Sequence, residues 1–188
     1  MIARNRVWRL AGVIALVASL VISPVAMADW QADPDDKKQM KAQAAIARFK
    51  EKVPRSATYF EQAYGFAILS SVTRAAIGFG AAYGKGLVIE GDELIGKTGF
   101  WQFTSGLQGG VKNFSMIVFF KDKEALEYFK AREIQFSGQA GIDVATWGAA
   151  GTPTFNEGIA IITVTRLGLM AEFSYGGIKF TYKDLPQD

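Results

Sequence analysis

The chain has 188 residues, of which 21 are basic and 18 are acidic, and it contains neither cysteine nor histidine. These absences exclude disulfides, the usual zinc sites, a cysteine-anchored lipoprotein, and catalysis that depends on an activated thiol or an imidazole. With 49% apolar residues the chain can form one domain with a hydrophobic core, for which we predict no enzymatic activity, cofactor or metal.

The first 28 residues have the pattern of a secretory signal peptide. Three arginines precede an apolar run at residues 10–22, and Ala26-Met27-Ala28 has the small-x-small pattern of a cleavage site. The apolar run is too short to span a bilayer comfortably. We therefore expect cleavage before Asp29 and export of the protein, so that it is periplasmic or secreted.

Cleavage would also change the net charge of the protein. The whole chain has a formal charge of +3, but removal of the three arginines leaves 18 basic and 18 acidic residues. A neutral protein lacks the positive field that nucleic-acid binding requires, so we expect no nucleic-acid partner.

A flexible, acidic lead-in is expected at residues 29–36, ahead of a single domain at residues 37–188. Asp33 is placed to cap a helix, with Pro34 in its first turn and Pro54 at its end. Projected at about 100° per residue, this helix is amphipathic. Its apolar stripe consists of Ala42, Ala45, Ile46, Phe49 and Val53. Its basic stripe consists of Lys37, Lys41, Arg48, Lys52 and, beyond the proline, Arg55.

A basic stripe beside an apolar one suits a helix at a lipid surface, because aliphatic groups enter the acyl layer while cations meet phosphates. On this interpretation Ile46, Phe49 and Val53 face the membrane, and the five cations bind lipid head groups. The alternative is that Ile46 and Phe49 pack on the domain and that the cations are only solvated. The apolar stripe is largely alanine, so the residues alone leave both interpretations open.

A second, short helix is predicted at residues 56–63. Ser56 is a suitable cap, and Tyr59, Phe60 and Ala63 recur on one face. This helix should therefore pack on the domain through that face.

Residues 64–89 combine glycines with small and aromatic residues and predict two closely packed strands that turn near Gly84. Glycine inside a strand marks a bulge, a bend or the close approach of another backbone. A phosphate-binding loop is not matched, because the spacing of Gly80 and Gly84 is one residue too short. Lys85, between two glycines at the predicted turn, is in position to reach a lipid phosphate, and Arg74 is expected at the same edge.

The remaining chain predicts mainly strands. Residues 114–120 are apolar on both faces, as in a central buried strand, and residues 121–130 have the pattern of an amphipathic helix. Two strands are expected at residues 159–165 and 167–175, and a last one alternates around Phe180. About eight strands with two or three flanking helices predict an α+β fold, a compact and mainly antiparallel β-barrel or sandwich with an amphipathic N-terminal helix.

Several stretches of the chain resemble the SYLF family, a lipid-binding domain also called the Ysc-type actin-binding domain. They are Gly65-Phe66-Ala67-Ile68-Leu69, Gly78-Phe79-Gly80, Tyr83-Gly84-Lys85-Gly86-Leu87-Val88, Phe100-Trp101, residues 106–110 leading into residues 114–120, and Arg166-Leu167-Gly168-Leu169. The resemblance extends over residues 50–182. It departs at Thr163-Val164-Thr165-Arg166, where the family usually has a Tyr-Ser-Arg-like sequence.

The resemblance implies binding to phosphoinositide-like lipids with help from the basic N-terminal segment. Together with the predicted helix, it leads us to expect an exported protein that docks peripherally on an anionic phospholipid membrane surface. Lys37, Lys41, Arg48, Lys52 and Arg55 would then bind head groups together with Lys85. Two alternatives stay open: a periplasmic carrier or scaffold that holds an apolar ligand, and a protein-interaction module of the actin-binding kind.

Overall fold

The computed structural model describes residues 30–131, 135–137, 144–146, 155 and 158–186, so the predicted signal peptide lies outside the described residues. The elements are, in chain order, α1 (Lys37–Lys52), α2 (Ser56–Gln62), β1 (Gly65–Glu90), β2 (Glu93–Phe120), α3 (Lys123–Ala131), β3 (Gln135–Ser137), β4 (Val144–Thr146) and β5 (Ile159–Asp184). The fold is α+β, as predicted. Within the described residues, no helix is both long enough and apolar enough to cross a bilayer.

The five described strands belong to one sheet, in the order β1-β2-β5-β3, with β4 also paired to β5. The pairs β1–β2, β2–β5 and β3–β5 are antiparallel, and only β4–β5 is parallel among the described pairs. The described pairings leave the sheet open at β1. The prediction of a mainly antiparallel sheet with flanking helices is therefore confirmed.

The strand β1 bends back on itself near Gly78, which has a φ of +69° and lies at a shift in the pairing register. A Cβ atom on Gly84 would stand 2.7 Å from Cγ2 of Val72, and one on Gly86 would stand 2.5 Å from the carbonyl oxygen of Ile68. Residues 65–77 and 79–90 are thus two arms of one strand that lie against each other. The predicted turn near Gly84 is wrong, because this glycine lies mid-strand and provides room for the facing arm.

The two other long strands follow the same bend. β2 pairs with both arms of β1, and β5 pairs with both halves of β2. β2 has positive φ at Gly106 and Gly110, opposite the bend of β1. The described residues contain five strands where about eight were expected, because each long strand contains at least two of the expected segments and its hydrogen-bond ladder continues through the bend. We call the bent end of the three strands the tip and the opposite end, where Gly65 lies close to Ile89, the base.

The base has an inner and an outer hydrophobic core. Leu69, Phe100 and Phe180 fill the space between the arms, and α3 closes that space with Leu126 and Phe129.

On the outer side, α1 and α2 cover the sheet, so that Phe49 and Phe60 pack with Phe66 and Phe119. Residues 114–120 are buried on both faces, as predicted, because each face meets one of the two cores. Each large apolar side chain that is fully buried in this way stabilises the fold by about 1.5–3 kcal/mol.

The starts of both N-terminal helices differ from the prediction. Asp36, not Asp33, caps α1, because its carboxylate accepts hydrogen bonds from the backbone N–H of Lys38 (2.7 Å) and Gln39 (3.3 Å). These donors, first that of Lys38, lower the pKa of Asp36. Asp33 instead forms a preceding turn through its carbonyl oxygen.

Ser56 does not cap α2: its hydroxyl is buried and has no hydrogen-bond partner among the described residues. Trp30, near the start of the predicted lead-in, is buried in the outer core.

Candidate functional site

A groove of about 430 Å³ lies between α1 and the outer face of β1, β2 and β5. We call it the basic groove, because lysines from four elements line it and its described lining includes no acidic residue. The lysines are Lys38 and Lys41 from α1, Lys85 from β1, Lys97 from β2 and Lys183 from β5.

The register of the sheet brings the strand lysines together. Lys97 lies directly opposite Lys183 in the antiparallel pair of β2 and β5, and Lys85 lies opposite Gly99, two residues further along β2. Like charges directly opposite each other destabilise a sheet. None of the five lysines forms an ion pair with a carboxylate in the described parts of the chain. The groove therefore concentrates positive charge that an anion would neutralise.

Aromatic side chains form part of the groove wall. The rings of Tyr83 and Trp101 lie with their centroids 4.3 Å apart, and the Lys85 Nζ atom is 5.9 Å from the centre of the Tyr83 ring. The Tyr182 hydroxyl lies 2.8 Å from an Asp184 carboxylate oxygen and 3.2 Å from the Ile95 carbonyl oxygen. Burial, followed by the hydrogen bond to Asp184, raises the pKa of Tyr182. Tyr182 thus borders the groove, while its ring packs against the inner core.

A second, smaller groove of about 250 Å³ lies on the other side of Lys41. Arg48 and Arg166 line it together with the serines of β1 and β2, and it shares Lys41 and Ser70 with the basic groove. Arg166 is held in place because its Nη1 atom donates a hydrogen bond to the Ser70 carbonyl oxygen at 2.9 Å. The cationic surface thus continues around the middle of the molecule.

The structure brings together only part of the predicted cationic set. Lys41 and Lys85 line the same groove, and Arg48 lines the neighbouring one. The remaining cations, Lys37, Lys52 and Arg55, are exposed but line neither groove. Lys85 was expected at a hairpin turn and instead lies within the second arm of β1, where its side chain is exposed.

The predicted membrane-facing residues of α1 are placed differently. Phe49 is fully buried in the outer core, and Ile46 and Val53 are half-buried against the same core. The prediction that Phe49 faces a membrane is therefore wrong: the outer face of the sheet offers its ring a better-packed apolar partner. The alternative interpretation, in which this stripe packs on the domain, describes the structure.

Four cations that line the grooves were not predicted: Lys38, Lys97, Lys183 and Arg166. The alternation of β5 already placed Lys183 on the face opposite Phe180. That pattern shows which way a side chain points, but only the register shows that Lys183 lies opposite Lys97. Lys38 was missed because it lies beside, and not within, the arc of α1 that contains the other cations.

No family model matches the chain. The chain is similar to Beta cell expansion factor A of Aeromonas veronii, with 25% identity over 150 residues. The match covers 78% of this chain and 56% of that protein, so the chain spans little more than half the length of its relative.

Proposed function

We propose that this protein is an exported, non-enzymatic lipid-binding protein of the SYLF type, and that the basic groove binds the head groups of anionic lipids. The observation that carries the proposal is the convergence of five exposed lysines in one groove whose described lining includes no acid. Because Lys97 and Lys183 face each other in the sheet, a bound phosphate would relieve a repulsion that the fold otherwise retains.

A lipid suits the groove better than a small soluble anion. The lining includes Ile68, Leu87 and Trp101 beside the lysines, so it offers apolar and cationic surface together. A lipid has an anionic head group and adjoining apolar chains, so it can contact both kinds of surface, whereas an inorganic anion can contact only the cationic one. The resemblance to the SYLF family supports the same ligand class.

The structure supports a mechanism that differs from an inserting helix. Phe49 fixes α1 to the sheet, so α1 contributes Lys38, Lys41 and Arg48 to a preformed surface and keeps its apolar stripe on the domain. The carrier alternative has less support, because side chains such as Phe100 and Phe180 occupy the space between the arms.

Vesicle flotation tests the proposal with two matched double variants. Lys97→Glu/Lys183→Glu reverses two charges in the basic groove, and Lys37→Glu/Lys52→Glu makes the same change in net charge on residues outside both grooves. A lysine close to an anionic surface contributes about 1 kcal/mol. We therefore expect the groove variant to bind at least about tenfold more weakly to phosphatidylcholine vesicles that contain phosphatidylinositol phosphate.

The control variant should retain most of the binding. Equal losses in the two variants would show a diffuse charge effect and remove the groove as the head-group site. Equal binding of the unmodified protein to vesicles of phosphatidylcholine alone would remove the anionic lipid itself from the proposal.

A further inference from the structure

The tip has an exposed apolar surface that neither the grooves nor the helices account for. Four of its side chains are largely exposed: Ile77 (90%), Phe79 (78%), Phe103 (63%) and Leu107 (82%). We call these four residues the apolar tip. Single exposed apolar side chains are common on proteins, but a contiguous group of large ones indicates a surface that another apolar phase covers.

The sheet places these residues side by side. Along residues 71–85 of β1 the odd-numbered side chains are exposed and, away from the bend, the even-numbered ones are buried. Phe79 lies opposite Ser105, and Phe103 lies opposite Ala81, one step along the same face. The apolar tip is therefore a continuous patch on the outer face of β1 and β2.

The interior beneath the apolar tip is polar. Arg74 is only 4% exposed, and its guanidinium donates hydrogen bonds to Gln102 Oε1 (3.1 Å), Thr104 Oγ1 (2.9 Å) and Gln108 Oε1 (3.0 Å). Gln108 in turn donates to the Gly78 carbonyl oxygen at 3.0 Å, which ties this network to the bend of β1. Arg74, expected at an exposed edge, therefore helps to hold the bend from inside. The outward apolar side chains belong to a structured end of the sheet.

The residues along the outer face follow the order of the layers in a lipid leaflet. Lys85 and Lys97 lie nearest the base, the paired rings of Tyr83 and Trp101 follow, and the apolar tip lies beyond them. From the aqueous surface of a membrane toward its centre, the lipid phosphates are followed by the interface, where tyrosine and tryptophan are enriched, and then by the acyl chains. At the rise of an extended strand, Phe79 lies about 13 Å beyond Tyr83, which fits a leaflet whose hydrocarbon half is about 15 Å thick.

The charges near the patch favour an anionic lipid surface over a second copy of the chain. β1 has no acidic residue before Glu90 and β2 has none after Glu93, whereas β5 has one at the tip, Glu172, whose register partner is Gln108. The exposed cations Lys85, Lys97 and Arg166 lie towards the base from the patch on both arms. Two copies joined through this face would bring these like charges together, whereas lipid phosphates would neutralise them.

We infer that the protein docks tip-first: the apolar tip enters the acyl layer of one leaflet while the basic groove holds head groups. This inference rests on the proposed lipid binding and adds the depth and the orientation of the bound protein. It also replaces α1 with the bent strands as the part of the molecule that enters the membrane.

The absence of cysteine allows a direct test of depth. In the full mature protein, Ser105→Cys places a single label at the tip, and Thr58→Cys places one on α2 at the base; both positions are exposed. The label is an environment-sensitive fluorophore, and the vesicles contain phosphatidylinositol phosphate and a lipid with a nitroxide on its acyl chain. We expect a blue shift and strong quenching at residue 105, and neither change at residue 58.

A variant provides the second readout. Phe79→Ser/Phe103→Ser/Leu107→Ser removes apolar surface without a change in charge, and Met40→Ser removes an exposed apolar side chain of α1 as a control. We expect at least tenfold weaker vesicle binding for the tip variant, most clearly at high salt, and unchanged binding for the control. Thermal unfolding should show that both variants fold, because the altered side chains are exposed.

The two proposals fail in different ways. If the unmodified protein does not bind anionic vesicles, the proposed function fails. If it binds, and the groove variant weakens binding, but the label at residue 105 is not quenched and the tip variant binds normally, tip-first docking is wrong. If the tip variant instead abolishes self-association in sedimentation experiments, the patch joins copies of the chain and does not enter lipid.

Discussion

The base and the tip are built from the same three strands, yet they have opposite distributions of polar and apolar side chains. At the base, apolar residues fill the space between the arms and also cover the outer face, where α1 and α2 bury them. At the tip, Arg74 and Gln108 lie inside and Phe79 and Phe103 lie outside. The alternation of polar and apolar residues along a strand therefore shows which side chains share a face, but it does not show which face is buried from solvent.

The helices account for the difference. Phe66 and Phe119 at the base would be as exposed as Phe103 if α1 and α2 did not cover them, because all belong to the outer side of the same sheet. The covered part ends near Ser70, where the cationic grooves begin. The molecule thus has three zones along its strands: a helix-covered base, a cationic middle and an apolar tip.

The largest expected effect is a difference in stability between a substitution at the helix-covered base and one at the exposed tip. Phe49→Ala should lower the free energy of unfolding by about 3–5 kcal/mol, because it leaves a cavity in the outer core. Phe103→Ala should change it by less than about 0.5 kcal/mol, because that ring is largely exposed. Urea unfolding of the two variants measures the difference. A similar loss in both would mean that the tip is buried in solution.

The zones also separate what the sequence could predict from what it could not. The amphipathic helix expected at residues 121–130 and the doubly buried run at residues 114–120 follow from local periodicity, and the structure confirms both. The bend of β1 does not follow from it, because Gly78, Gly84 and Gly86 look alike in the sequence. Only the position of the facing arm shows that Gly78 bends the chain and that the other two make room for it.

The candidate site was predicted in part for the same reason. Helical spacing identified Lys41 and Arg48 because both lie on one element. Lys97 and Lys183 are 86 positions apart in the chain, and their approach depends on the register of β2 and β5. The exposure of Phe103 likewise depends on how far α1 and α2 extend over the outer face of the sheet, and no local sequence pattern specifies that extent.

A smaller effect on stability is expected from two glycine-to-alanine substitutions. One lies where the two arms of β1 are in close contact, and the other lies on an open surface. Gly86→Ala should destabilise the fold by about 1–3 kcal/mol, because its Cβ would stand 2.5 Å from the Ile68 carbonyl oxygen. Gly109→Ala, in β2 near the tip, has no atom within 4 Å of its Cβ and should be almost neutral. Thermal and urea unfolding test the pair. A neutral Gly86→Ala would show that the arms lie further apart.

The smallest expected effect is a dependence of folding stability on pH, and it should arise from tyrosines at the base. Tyr59, Tyr64 and Tyr182 all lie there, and their pKa values are raised: by burial for Tyr59, mainly by the hydrogen bond to Glu90 for Tyr64, and first by burial for Tyr182. A raised pKa means that the folded state holds the phenol proton more tightly than the unfolded state. The stability that this provides is complete below the ordinary tyrosine pKa of 10.0 and is lost as the pH rises above it.

Tyr182→Phe isolates one of these groups. At neutral pH the variant should be less stable by about 1 kcal/mol, because it lacks the hydroxyl beside Asp184 and Ile95. Above pH 10 the unmodified protein loses this advantage while Tyr59 and Tyr64 titrate equally in both proteins, so the difference between their urea midpoints should narrow. A difference that stays constant across this range would mean that Tyr182 is solvated when folded, and that the groove wall at the base is more open than the structure shows.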